Sequence, residues 1–339
     1  MQLSDFDFPF DPSLIAAAPI MPRDRARLLT LNRTTQQLTH HHVADLPNLL
    51  KPGDLLVVND TKVLAARVPG IKRPTGKLVE VLFVREISEG RWEIMVKGTF
   101  RVGHVIEFDQ YSRATIVKRD ATGTEVIVES PEPITRLFEA HGMMPLPPYI
   151  KRAATQEDRR WYQTVFAKHE GAIAAPTAGL HFTQELFRRL NASGTTVTTV
   201  TLHVGPGTFK PVTTERIEDH QMGAERFTIS EESAKAIQET KRAGGRVVAV
   251  GTTVVRTLET VAEKNGAIVP VSGESRLFIT PGFQFKVVDM LMTNFHLPKT
   301  TLLMLVSAFA GIEPIRRAYA EAVRERYRFY SYGDAMLIL

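Results

Sequence analysis

Hydrophobic and polar positions change rhythm three times along the 339 residues. The stretch through Arg27 mixes single apolar residues with prolines and reads as a partly helical lead-in. Leu28 to Leu31 and Asp54 to Asn59 (DLLVVN) are short, nearly unbroken apolar runs, the pattern of strands buried on both faces. From about Val68 to Glu129 short β-rich runs take over: LVEVLFV (78–84), WEIMVKG (92–98), HVIEFD (104–109), ATIVKR (114–119) and TEVIVES (124–130). Glycine-containing turns separate them at roughly 10-residue spacing, too close for helices between, which predicts a small all-β barrel or sandwich.

After the proline-rich MPLPPYI (144–150) strands alternate with helices. Thr183 is placed to cap a helix running to about Asn191 that ends near Gly194. TTVTTVTLHV (195–204) is a β-branched strand, followed by a helix near Glu231–Gly244, the strand RVVAV (246–250) and a helix over 254–264. TTLLMLVSAFAG (300–311) reads as a buried helix and 313–326 as another. Strand–helix alternation implies an α/β domain. The expected architecture is therefore a main α/β domain, residues 1–66 plus 151–339, with an inserted all-β, barrel-like domain over 67–150.

Composition narrows the function classes. Apolar residues at 43% and charged residues at 23% are ordinary globular usage. The chain has 42 Lys and Arg against 37 Asp and Glu, a net charge of +5, with a pI near 9.4. That balance permits a polyanionic partner without requiring one. Cysteine is absent, which excludes disulfides, thiolate nucleophiles, Cys-ligated zinc and iron–sulfur clusters. The longest near-continuous apolar run, Leu302 to Ile312, falls short of the ~20 residues that span a bilayer. The acidic start MQLSDFDFPF lacks the pattern of a signal peptide, so a cytoplasmic location is expected. No metal site is expected. His40, His41 and His42 alternate faces in a strand, no H-E-x-x-H occurs, and His181, His203, His220 and His296 converge only if the fold brings them together.

Chemistry-bearing residues gather at the ends of the expected strands, where open α/β sheets place their sites. AAPTAGLHF (174–182) offers a Pro–Gly turn and His181 before a helix start, or simply a packed histidine. LHVGPGTFKP (202–211) places His203 before the turn at Gly205 and Gly207; Lys210 and Pro211 stand where a dinucleotide motif would need its third glycine and a helix. RVVAV runs into GTTVVRTLE (251–259), a phosphate-, carboxylate- or ribose-binding pattern. Its bland alternative makes Thr252 or Thr253 an N-cap and Arg256–Glu259 an i,i+3 ion pair. Asn294 and His296 precede another helix. The tail RYRFYSYGDAM (326–336) interleaves Arg326 and Arg328 with aromatic residues, which suits base stacking or one aromatic face of a strand. Asp60 is a strand-end carboxylate or a turn residue. Lys72, Arg73, Lys77, Lys97 and Arg101 form a candidate basic face on the β domain, or scattered solvated charges.

Several long blocks together closely resemble the S-adenosylmethionine:tRNA ribosyltransferase-isomerase family of queuosine biosynthesis. They are LLVVNDTKVLAAR (55–67), PLPPYIKR (145–152), YQTVF (162–166), AAPTAGLHF (174–182), TLHVGPGTFKPV (201–212), VAVGTT (248–253) with Arg256, TNFHLPKTTLLMLVSAFAG (293–311) and YRFYSYGDAM (327–336). LIAAAPIMPRDRARLL (14–29) resembles a more divergent opening block. The resemblance implies a two-domain fold, α/β with an inserted barrel-like domain. It also implies transfer and isomerisation of the ribosyl part of S-adenosylmethionine onto the 7-aminomethyl-7-deazaguanine of a tRNA anticodon loop. Epoxyqueuosine-tRNA forms, with release of adenine and methionine. The expected partners are that tRNA and S-adenosylmethionine as co-substrate, with no prosthetic group and no membrane, the chain acting as a monomer.

That chemistry needs a base for the ribose carbon acidified by the sulfonium and an acid for the departing adenine. His203 or His181 is expected as base and acid, and Asp334 or Asp60 as orienting partners. Substrate binding is expected at Thr177, Gly179, Phe182, Gly205, Thr208, Phe209, Gly251, Thr252, Thr253, Arg256, Asn294 and His296. Arg256 would pair with the donor's methionine carboxylate, while Arg328 and Tyr332 would contact the tRNA or its deazaguanine. The chain departs from the family pattern where H-x-M-H-S-E reads His220, Gln221, Met222, Gly223, Ala224, Glu225, and where H-G-H-M-P-L reads His141, Gly142, Met143, Met144. Val254 replaces a usual serine and Ala17 a usual glutamine. Either the two absent histidines are dispensable or this chain has drifted in activity; the intact main blocks favour the first. The rival expectations are a methyltransferase using the same donor on RNA, and a tRNA-binding protein without catalysis.

Overall fold

The computed structural model describes residues 1–121, 123–205 and 212–339. The lead-in forms three short 3-10 turns at Leu3–Phe6, Pro12–Leu14 and Arg23–Arg25. The strands that follow are β1 (Arg27–Leu31), β2 (Leu38–His42), β3 (Leu55–Asn59) and β4 (Thr61–Val63). The β-rich region supplies β5 (Arg67–Arg73), β6 (Lys77–Ser88), β7 (Arg91–Val96), β8 (Val105–Glu107), β9 (Arg113–Asp120) and β10 (Gly123–Glu129). Beyond it lie β11 (His169–Ala172), β12 (Thr196–Leu202), β13 (Glu225–Ile229), β14 (Val247–Val250), β15 (Val271–Ser275), β16 (Met290–Asn294) and β17 (Ala335–Ile338). The helices are α1 (Leu46–Leu49), α2 (Ile134–His141), α3 (Asp158–Trp161), α4 (Gln184–Ala192), α5 (Glu231–Arg242), α6 (Thr252–Asn265), α7 (Thr301–Ala310) and α8 (Ile312–Arg324).

Among the described residues the main sheet has nine strands in the order β15-β13-β12-β3-β14-β16-β17-β1-β2. Its centre, β12, β3, β14 and β16, is parallel. The apolar runs explain why: β3 is buried at every position, so both of its faces must be covered. Leu55 and Val57 join the core beneath α5 to α8, while Leu56 and Val58 join Leu186 and Leu190 of α4 on the opposite face. Each such side chain contributes about 1.5–3 kcal/mol on burial. Thr183 caps α4 by accepting from Leu186 N at 3.1 Å and also donates to Asp24. Thr300 caps α7 in the same way.

β5 to β10 close an antiparallel barrel in the order β10-β7-β6-β5-β8-β9, which removes the exposed edges an open sheet of this size would carry. Phe83, Trp92, Ile94, Ile106 and Val126 fill it, and Leu137 and Phe138 of α2 pack onto the same core. The fold is thus α/β with an inserted all-β barrel. Met144, Leu146 and Ile150 pack with Val63, Tyr162, Ala172 and Tyr332, apart from the barrel core.

Three expectations change here. α6 begins at Thr252 with Gly251 as its N-cap, at φ +92°, a conformation that favours glycine; neither threonine caps it. Glu259 does not pair with Arg256 but accepts the backbone N–H groups of Lys286, Val287 and Val288. The aromatic tail is core, not a stacking platform: Tyr327, Phe329 and Tyr332 are buried, and Phe329 packs among Phe10, Phe295 and Tyr319.

Candidate active site

Parallel pairing aligns the carboxyl ends of β3, β12, β14 and β16, so Asn59, His203, Gly251 and Asn294 emerge on one edge of the sheet. Asn59 ties them together. Its Nδ2 donates to Leu202 O (2.9 Å) and Thr253 Oγ1 (3.3 Å), and its Oδ1 accepts from Leu202 N (3.0 Å).

A small cavity of about 70 Å³ opens over this edge, lined by Thr177, Gly251, Thr252, Thr253, Asn294 and His296 with Tyr149, Tyr330 and Ser331. His296 Nε2 lies 2.9 Å from Thr293 Oγ1, and burial pushes its pKa down to about 3, so the ring is neutral. Asn294 Nδ2 donates to Tyr330 O at 2.7 Å, and the rest of its side-chain amide lies beside the His181 ring. Tyr149 and Ser331 share a 2.6 Å hydroxyl contact. Burial raises the Tyr149 phenol and pushes that of Tyr330 up to about 12.

A larger cleft of about 490 Å³ lies between the barrel and the sheet. Val84, Arg85 and Glu93 form its barrel wall; Gly171, His203, Gly205, Met222 to Arg226, Glu274 and Arg276 form the other. Val204 lines both cavities. His203 Nδ1 lies 2.8 Å from Thr61 Oγ1. Burial, then the charges of Arg226 and His169, push its pKa below 6.5 against the pull of Asp60. Asp60 is buried, accepts from Thr201 Oγ1 at 2.6 Å and lies 3.7 Å from His169 Nε2. A neutral imidazole on a cleft wall, with a carboxylate nearby, can take up a proton.

The other expected site residues lie elsewhere. Arg256 is buried and paired with Glu225, and its Nε donates to Leu277 O at 3.1 Å; a carboxylate of the protein already holds the guanidinium expected to grip the donor. Asp334 accepts from Arg27 N, Arg328 N and Arg328 Nη2 at 2.8–3.0 Å, so it braces the chain's end and Arg328 with it. Tyr332 donates to Asp158 at 2.9 Å and is too buried to touch RNA. His181 lines neither cavity but a separate pocket with Arg23 and Tyr332; its ring lies beside Asn294 of the small cavity's lining, and burial pushes its pKa down to about 4. Phe182 is core. Gly179 is a packing glycine: a Cβ there would stand 2.8 Å from Phe166. Thr208 and Phe209, with Gly207, fall outside the described residues. His40 to His42 do lie in one strand, and among the described residues no group of His, Asp and Glu is placed to hold a metal ion.

Asn59, Thr61, His169, Gly171 and Tyr149 were not singled out by the sequence. The first two flank Asp60 in the strand-end triplet NDT, where polar residues interrupt an apolar run. Tyr149, in the proline-rich passage, carried no local signal.

The family model described as queuosine biosynthesis protein matches residues 3–338. The chain belongs to this family. Two relatives named S-adenosylmethionine:tRNA ribosyltransferase-isomerase span it end to end. The protein from Desulforamulus reducens is 49% identical over 343 residues, covering 100% of both chains, and that from Zymomonas mobilis 48% over 345 residues, covering 100% of this chain and 99% of its own. The crystal structure of S-adenosylmethionine tRNA ribosyltransferase from Thermotoga maritima, 37% identical, covers 99% of this chain and 100% of its own with a TM-score of 0.59. The two positions at which the resemblance led to an expected histidine fall in different settings. Gly223 lies on the cleft wall with open space beside it, so the cleft lacks an imidazole there. Met143 bridges Arg67 through its backbone, away from the cleft lining.

Proposed function

We propose that the chain transfers and isomerises the ribosyl moiety of S-adenosylmethionine onto the 7-aminomethyl-7-deazaguanine of a tRNA anticodon loop, releasing adenine and methionine. The observation that carries this reading is the neutral His203 on a cleft that shares Val204 with the neighbouring Thr252–Asn294 cavity. The smaller cavity has room for only part of a nucleoside, so the donor lies across Val204, with its sulfonium end toward His203. His203 takes the proton from the sulfonium-bound ribose carbon, and Asp60 steadies the charge that develops. The hydroxyls of Thr252 and Thr253, with Asn294 and neutral His296, supply hydrogen bonds to the uncharged part of the donor. Arg226 and Arg276, exposed on the cleft wall, replace Arg256 as the candidates for the methionine carboxylate. The reading places the chain in the cytoplasm, where tRNA and donor meet.

Product analysis tests it. Purified protein given the donor and a transcript bearing the deazaguanine releases adenine and methionine in equal amounts. S-adenosylhomocysteine in their place would identify a methyltransferase, and tRNA binding with an intact donor would identify a binding protein.

The basic face enters as a further expected point of attachment. Arg73 is paired with Glu107, and Lys72 donates to Thr99 O at 2.6 Å while lying over Phe100; Lys97 and Arg101 stay exposed. Lys97→Glu with Arg101→Glu should weaken tRNA binding and reduce the slope of log affinity against log salt by about 1 for each phosphate no longer neutralised. Unchanged filter-binding isotherms across a salt series would remove this face from the interface.

A further inference from the structure

The ribbon formed by β4 and β11 is the shortest sheet among the described residues, and it holds one side chain. Thr61 in β4 is fully buried, with its Oγ1 2.8 Å from His203 Nδ1 and 3.5 Å from the carbonyl oxygen of His169 in β11. The register between the two strands slips between Glu170 and Ala172, which leaves Gly171 out of the ladder at φ +141°. A Cβ at Gly171 would stand 2.9 Å from His203 Nδ1, 3.0 Å from Cε1 and 3.2 Å from Cγ. Near-equal separations from three ring atoms mean that the face of the imidazole, not its edge, lies on the Gly171 backbone. The bulge thus makes room for the ring's face, and Thr61 meets its inner edge.

We propose that this ribbon fixes the tautomer of His203, with Thr61 as the positioning residue: the hydroxyl accepts a hydrogen bond from Nδ1–H, and the lone pair of Nε2 is left for the cleft. The proposal rests on the reading of His203 as the base. At 2.8 Å the Thr61 hydroxyl can donate to Nδ1 or accept from it. A base that works through Nε2 must keep that nitrogen bare, so Nδ1–H donates to Thr61 Oγ1, and the hydroxyl proton turns to the more distant His169 carbonyl, 3.5 Å away. A neutral imidazole protonated at Nδ1 carries its basic lone pair on Nε2. No other hydrogen bond to Nδ1 occurs among the described residues. The charged groups packed around the ring are Asp60, His169 and Arg226, with the Arg85–Glu93 pair on the barrel wall and Glu225 committed to Arg256.

Histidine nitrogen NMR on the full-length protein decides the point. The ¹⁵N-histidine-labelled chain, with His203 assigned by its absence in His203→Gln, should show Nδ1 protonated and Nε2 unprotonated at neutral pH. Thr61→Val, which keeps the shape and removes the hydroxyl, should give a mixture of tautomers and lower kcat by about 100-fold, the low end of what a positioned acid–base group supplies. The KM for S-adenosylmethionine should barely move. Thr61→Ser should restore both the spectrum and most of kcat, which a purely structural role for the Thr61 methyl would not allow. An Nε2-protonated ring in the unaltered protein, or a Thr61→Val spectrum identical to it, overturns the proposal. The spectrum reports on the holder alone, whereas full turnover in His203→Gln would sink the base assignment alone.

Discussion

His203→Ala is expected to cut adenine release by about 10²- to 10⁴-fold, the range that a positioned acid–base group supplies, while equilibrium dialysis still detects donor binding. The separation of the two readouts follows from the site. His203 lies on the larger cleft, and the hydroxyls and amide that would hold the donor line the smaller cavity. Trimming the ring leaves β12 in place, because its register with β3 is held by backbone bonds and by Asn59. The pH profile supplies an independent check. A base works when deprotonated, so kcat/KM should fall on the acid side with the pKa of His203. Burial, Arg226 and His169 depress that pKa from 6.5, so the acid limb should lie below 6.5. Arg226→Ala removes a depressing charge, and the limb should then move upward toward 6.5. Normal turnover in His203→Ala would refute its role, and a limb that ignores Arg226 would assign the titration to another group.

What could be read from the sequence follows a physical division. The central strands were legible because burial on both faces leaves almost no polar residue to confuse the pattern, as in LLVVN of β3 and VVAV of β14. The barrel was legible because its strands recur too closely to admit helices. Thr183 and Thr300 were legible as the start of a helix because a cap acts within three residues. The readings that tertiary contacts revise share the opposite property. Arg256 was matched to Glu259, three residues on, or to a ligand; its partner Glu225 is 31 residues back in sequence and reaches it only through β13. Asp334 looked available because the backbone N–H groups it accepts belong partly to Arg27, 307 residues away. Tyr327, Phe329 and Tyr332 alternate with polar residues as a stacking surface would, and only the packing of α8 and the lead-in against them makes them core. Motif blocks named the family, while the roles within each block depended on contacts between blocks.

Arg256→Met provides the sharpest test of that reassignment. Arg256 and Glu225 are both about nineteen-twentieths buried, and removing one partner of such a pair typically costs about 3–5 kcal/mol because the other charge stays buried without its counterion. Glu225 also accepts from Gly205 N at 3.1 Å, two residues from His203, and Arg256 stands in the helix that begins with Thr252 and Thr253. The pair therefore ties the small cavity to the cleft wall. Urea unfolding of Arg256→Met should show a markedly lower midpoint at unchanged slope, the mark of a change in stability rather than in the unfolded chain. Arg256→Lys keeps the charge but cannot serve Glu225 and Leu277 O together, so it should fall between. A guanidinium whose main task was the donor's carboxylate would behave differently, with the unfolding midpoint unmoved and the KM for S-adenosylmethionine raised. That second pattern would return Arg256 to the donor site and make its pairing with Glu225 secondary.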